Sequence, residues 1–106
     1  MKKEESIIAE KIKFRIKKKN PEAEIILFGS HARGQSHKDS DWDILVLLNQ
    51  STVSRIVEKE FRDDLFELEL ELGEPISTFV FSKNEWEQKY MVTPLYQNIK
   101  REGIYL

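Results

Sequence analysis

The stretch that decides the fold is Phe28-Gly29-Ser30-His31-Ala32-Arg33-Gly34-Gln35-Ser36-His37-Lys38-Asp39-Ser40-Asp41-Trp42-Asp43. Short apolar runs flank it, Glu24 to Phe28 before and Asp43 to Leu48 after, and both read as buried strands. The first stops at a glycine that permits a tight turn, and Ser30 starts a short helix. Backbone N–H groups at such a turn are unpaired donors that, with the Ser30 hydroxyl, can cradle a phosphate, and Gly29 lets it approach the main chain. An ordinary strand-to-helix turn uses the same residues, so the Gly-Ser pair alone decides nothing. Asp41 and Asp43 add a second constraint. The two-residue period of a strand points both carboxylates to one face. They repel unless a cation lies between them, and magnesium suits the place because it takes oxygen ligands, keeps several waters and completes its shell with phosphates. A solvated loop, Asp39-Ser40-Asp41, is the plain alternative. The combination is specific where each part is weak: a Gly-Ser turn, ten residues, then Asp-x-Asp, one element gripping phosphate and the other its metal.

Two other readings of the stretch fare worse. Gly29 to Ser36 nearly matches a P-loop, but Gln35 stands where the lysine that neutralises the phosphates belongs. His31 and His37 with the aspartates are zinc-type ligands, yet they sit in a polar loop without the i,i+4 spacing of a helical site.

Outward from this stretch, Ile8, Ile12 and Ile16 recur every four residues and predict a helix over roughly 4–19, ended by Asn20-Pro21. Ser51 is expected to cap a long helix with the stripe Val53, Val57, Phe61, Leu65, Leu68 and Leu72, closed by Gly73 and Pro75, its acidic face outward. Ile76 to Phe81 reads as a third strand. Ser82 and Glu85 start a short helix, and Thr93-Pro94 opens a last one that Gly103 ends. The expected order is α-β-β-α-β-α-α, a single α+β domain over residues 1–106 with a small mixed sheet flanked by helices.

Composition agrees with one small core. The chain has 106 residues, 40% hydrophobic and 34% charged, too apolar for a disordered tail and too short for a two-domain enzyme. Its longest aliphatic run, Ile44 to Leu48, is far below the ~20 residues that span a bilayer, and no apolar signal segment follows the basic N-terminus. A cytoplasmic location is expected. The absence of cysteine excludes a disulfide framework, a thiolate zinc cluster and a cysteine nucleophile. Seventeen basic and 19 acidic residues give a net charge of −2, distributed unevenly. Residues 1–20 are basic and Glu58 to Glu74 is acidic. Lys17-Lys18-Lys19 reads as the solvated end of a helix, whose dipole favours cations, rather than as a nucleic-acid patch, because no aromatic-interleaved basic surface accompanies it.

Gly29-Ser30, ten residues, Asp41-x-Asp43 and the following apolar strand resemble the signature of the DNA polymerase β nucleotidyltransferase superfamily. Ala32-Arg33-Gly34 fits the usual continuation. The whole chain, through Thr93 to Ile104, is similar to its minimal nucleotidyltransferase branch. The resemblance implies a mixed sheet with an open face for a nucleoside triphosphate and two Mg²⁺, and transfer of a nucleoside monophosphate, typically AMP from ATP, to a hydroxyl. Gly29 and Ser30 would hold the triphosphate, Arg33 would contact phosphate or acceptor or else brace the loop, and Asp41 and Asp43 would be the catalytic metal ligands. Active members carry a third carboxylate on the next strand. Here the corresponding stretch, Pro75-Ile76-Ser77-Thr78-Phe79-Val80, puts Ser77 in its place, and a serine is neither an anionic ligand nor a general base. Glu74 lies three positions earlier, at a turn. The branch also implies a role: its members often accompany a small helical HEPN ribonuclease toxin and act as its antitoxin, by adenylylating it on a tyrosine or similar hydroxyl, or by contact alone. A small-molecule acceptor such as an aminoglycoside fits less well, for want of a second substrate domain. The acceptor, the nucleotide and the oligomeric state are not written in the chain.

Overall fold

The computed structural model describes residues 1–106 and runs α1 (Lys3–Lys19), β1 (Glu24–Phe28), α2 (Ser30–Arg33), β2 (Trp42–Leu48), α3 (Arg55–Leu72), β3 (Ile76–Ser82), α4 (Lys83–Gln88), α5 (Pro94–Glu102) and β4 (Ile104–Tyr105). The sheet order is β3-β2-β1-β4, with β2 and β3 parallel and the other pairs antiparallel. This is the mixed α+β sheet that the sequence implies, with two additions to the expected order. The turn after Gly29 closes into α2, and the chain returns to the sheet as β4. Two residues carry no periodicity, so β4 has no signature of its own. It is placed by Gly103, where a Cβ would meet Ile99 O at 2.6 Å and Ile26 Cγ2 at 2.7 Å, so that only glycine lets α5 turn this close to β1.

The pleat of β2 divides the core. Trp42, Ile44, Val46 and Leu48 face α1 and α3, packing with Ile12, Ile16, Phe61, Leu65 and Leu68. Leu45 and Leu47 face the other way, against Phe28, Trp86 of α4 and Ile99 of α5. Asp41 and Asp43 belong to this second face, at the end that α4 and α5 leave open. No helix is long and apolar enough to cross a membrane.

Three local expectations change. The long helix starts three residues late, because Ser54 rather than Ser51 accepts the capping bond, from the Val57 amide at 3.2 Å. Its acidic run is also more than an outward face. Asp64 and Glu71 hold Arg15 of α1 at 3.3 and 3.1 Å, and Glu69 accepts the Ile76 amide at 2.7 Å. Arg15 therefore joins the basic and acidic segments across the α1–α3 seam, and Lys17 is spent on the carbonyls of Pro21 and Ala23. Finally, Phe14 of α1 and Ile56, Phe66 and Leu70 of α3 lie exposed, off the buried stripes.

Trp42, fully buried, is the one buried side chain whose polar atom finds no partner, its indole N–H. Leaving such a donor unpaired costs about 1–3 kcal/mol, which offsets part of what the ring gains by burial. Trp42→Phe, which removes that donor and keeps an aromatic ring, is expected to cost less than about 1.5 kcal/mol in denaturant titration, whereas Trp42→Ala costs about 3–5 kcal/mol.

Candidate active site

The antiparallel register of β1 and β2 pairs Phe28 with Asp43. The turn that follows Phe28 is thereby folded directly over the Asp43 side chain. Gly29 adopts φ +78°, and a Cβ at this position would overlap Asp43 Oδ2 and lie 3.0 Å from its Cγ. Two separate demands thus select glycine here, a left-handed backbone and a carboxylate with no room to spare. Ser30 follows as the first residue of α2, half-buried.

Asp43 is half-buried and Asp41 exposed. Burial, then the neighbouring charge of Asp41, pushes the Asp43 carboxyl above the usual range. His31 and Arg33 oppose the shift only in part. That donor set, two carboxylates with oxygen ligands only, on one strand face at an open end, fits Mg²⁺. Asp41 and Asp43 would hold the ion and leave positions for phosphate oxygens.

The parallel ladder sets Ser77 opposite Asp43, and the Ser77 hydroxyl donates to Asp41 Oδ2 at 3.1 Å. The third strand thus presents a hydroxyl where the resemblance implies a carboxylate, and no group of three or more acidic or imidazole side chains is assembled to hold an ion. Glu74, at the turn before β3, is not drawn into the pair.

Arg33 is committed. Its Nη1 donates to Glu102 Oε2 at 2.8 Å and its Nε to Gln35 at 3.2 Å, while the same Glu102 oxygen accepts the Gly29 amide at 2.9 Å. Of its two expected roles, the loop-bracing one is visible here. Glu102, at the end of α5, is a site residue that sequence reasoning missed. Its partners are 69 and 73 positions away, so nothing local marks it.

A second missed element lies beneath the turn. His31 is buried rather than lying in an open loop, and it stacks on Trp42 with ring centroids 4.0 Å apart. Its Nδ1 meets Glu5 Oε2 of α1 at 2.9 Å and its Nε2 the Ser40 carbonyl at 3.2 Å. The Ser36 hydroxyl donates to the same Glu5 oxygen at 3.0 Å. These bonds, that from His31 foremost, hold the Glu5 carboxyl below its ordinary range against the opposing effect of burial. One carboxylate at the start of α1 thus anchors α2 and the middle of the loop that leads to the aspartates, and His31 carries the tie on to Ser40. His31 is a structural histidine.

Gly29→Ala is expected to destabilise the fold by about 1–3 kcal/mol and to abolish Mg²⁺-dependent nucleotide binding by displacing Asp43, read by thermal melts and calorimetry. A depressed carboxyl contributes stability that is present above its unfolded pKa and lost as pH falls through the folded one. Glu5→Gln is therefore expected to lower stability by about 1–2 kcal/mol near pH 7 and by much less in acid below the carboxylate range. Equal losses at both pH values would refute this account of the anchor.

Comparison with known proteins agrees with this geometry. None of the curated protein sequences matches the chain. Among solved structures, a mutant form of the toxin–antitoxin pair MntA–HpeT superimposes with a TM-score of 0.66 at 26% identity, over 92% of this chain and 70% of that one. A toxin–antitoxin structure with AMP-PNP gives 0.63 at 26% identity, over 91% and 70%. The sequence profile of the family described as Nucleotidyltransferase domain matches residues 9–106. With the mixed sheet, the Gly29-Ser30 turn and the Asp41–Asp43 pair in place, the chain belongs to the nucleotidyltransferase domain family.

Proposed function

We propose that the chain is a Mg²⁺-dependent nucleotidyltransferase that moves AMP from ATP to a tyrosine hydroxyl of a partner protein, as the antitoxin of a HEPN-type toxin in the cytoplasm. The observation that carries the reading is the contact of the Gly29 turn with Asp43, which brings the turn that would cradle a phosphate against the carboxylate pair that would hold its cation. The likeness to toxin–antitoxin structures, one of them with AMP-PNP, supports the role.

In this reading the amides after Gly29 and the Ser30 hydroxyl bind the triphosphate, and Asp41 and Asp43 hold two Mg²⁺. The ions, when bound, neutralise charge developing at the α-phosphorus. The side chains on the open face align hydroxyl and leaving group. The acceptor oxygen bonds to the α-phosphorus, the bond to the β-phosphate oxygen breaks, and pyrophosphate leaves with the electron pair. The acceptor proton passes to water, since Ser77 supplies no base. A second reading is favoured by that same Ser77: a nucleotide-binding antitoxin that neutralises its toxin by contact, with little or no turnover.

Mass spectrometry of the toxin after incubation with the chain, ATP and Mg²⁺ separates the two. The enzyme reading predicts an AMP adduct that Asp43→Asn reduces by on the order of a hundredfold or more. An unmodified toxin, neutralised equally well by the Asp41→Asn, Asp43→Asn double variant, would establish the contact reading instead.

A further inference from the structure

We propose that Phe79, on the open face of β3, is the platform on which the nucleobase of the bound nucleotide stacks, and that it favours a purine. The inference rests on the nucleotide-binding reading above.

The order of the parts fixes the direction in which the nucleoside lies. With the β- and γ-phosphates at the Gly29 turn, at the end of β1, and the α-phosphate at Asp43 of β2 and its neighbour Asp41, the nucleotide continues away from the turn, over β3. Toward β1 the face is closed, because α5 ends there at Glu102, whose carboxylate holds the Gly29 amide and Arg33. Further along the strands, Trp86 and Ile99 cover Leu45 and Leu47, and Trp86 packs on Phe81. Phe79 lies between the carboxylates and this roof. It pairs with Leu45, one period of the pleat beyond the Asp43–Ser77 pair, so its side chain stands on the same face as both. Leu45 is fully buried, yet Phe79 is 37% exposed. One strand over and two residues along from Asp43, it lies about 7–8 Å away, a span that a ribose bridges.

The surroundings select a flat, weakly polar ligand. Phe28 packs against the Phe79 ring with centroids 5.7 Å apart and a tilt of 51°, which fixes the ring from one side. Phe28, Leu45 and Phe81, the side chains around it on this face, offer no hydrogen bond to the edge of a base. Recognition therefore runs through stacked area, of which a purine presents more than a pyrimidine. An acceptor tyrosine has a ring of its own, but the base is tethered to the α-phosphorus at this reach before the acceptor arrives, and a tethered group fills the place first. Another cavity with aromatic walls, about 330 Å³ between Trp86, Tyr96 and Tyr105, includes no residue of the turn or of the carboxylate pair, and its Tyr96 hydroxyl is engaged by Glu87.

The test is calorimetry with Mg²⁺ and three ligands: AMP-PNP, its uridine counterpart, and inorganic tripolyphosphate, which has no base. Phe79→Leu, which keeps an apolar side chain and removes the ring, is expected to weaken AMP-PNP about tenfold or more and to leave tripolyphosphate unchanged. Phe79→Trp retains AMP-PNP binding, and Tyr105→Ala changes nothing. The wild type prefers AMP-PNP to the uridine compound, and Phe79→Leu loses that preference. In proton spectra the adenine H2 and H8 lines move upfield on binding to the wild type and stay in place with Phe79→Leu. AMP-PNP bound equally by wild type and Phe79→Leu overturns the platform and leaves the nucleotide-binding reading standing, the more so if the variant modifies the toxin with a raised KM, which would give the ring to the acceptor. A loss shared by tripolyphosphate, or one that follows Tyr105 instead, overturns it as well. If the wild type does not bind AMP-PNP, or Asp43→Asn binds it undiminished, both fall.

Discussion

Everything at the open end of the sheet depends on the pairing of Phe28 with Asp43. That single register places a backbone turn over a carboxylate so closely that no side chain fits between them. Sliding β2 by one residue would send Trp42 to the open face and both aspartates into the apolar layer beneath α1 and α3. The hydrophobic demand of Trp42, Ile44, Val46 and Leu48 therefore enforces the polar geometry on the other side. Core packing and site assembly are one constraint seen from two faces.

The charges follow a similar economy of placement. Arg15 of α1 ties Asp64 and Glu71 of α3, and beneath the turn Glu5 collects His31 and Ser36. Asp41 and Asp43 stand apart from this cancellation. They repel each other, Asp43 half-buried and Asp41 exposed, and Ser77, His31 and Arg33 offset the repulsion only in part. An unbalanced carboxylate pair of this kind is what a site for a positively charged ligand would present.

Much of this was legible in the chain. The two strands, the glycine turn and the Asp-x-Asp face follow from period-two alternation and from residue types that act through their own backbone. The strand Ile76 to Phe81 is legible from its β character, but it is the family resemblance that sets Ser77 at the place of a third carboxylate, and the structure that pairs it with Asp43. What escaped were contacts whose partners are remote. Glu102 reaches Gly29 and Arg33 across about seventy residues, and Glu5 reaches His31 across 26. Neither glutamate differs locally from its exposed neighbours. The start of α3 was misplaced because Ser51 and Ser54 are equally good caps in sequence, and only the packing of Val53 and Val57 against the core chooses between them. The acidic run looked solvated because a helix face that meets another charged helix has the same pattern as one that meets water.

Glu102 gives the phosphate turn a thermodynamic character of its own. Its carboxylate already satisfies the Gly29 amide and the Arg33 guanidinium, so an anionic ligand drawing on those donors exchanges with an internal anion instead of filling an empty cradle. The free energy gained is a difference between two similar bonds rather than their sum. A ligand held there, as the proposed function requires, would be gripped lightly, and the turn would return on release to a ground state that the end of α5 keeps in shape.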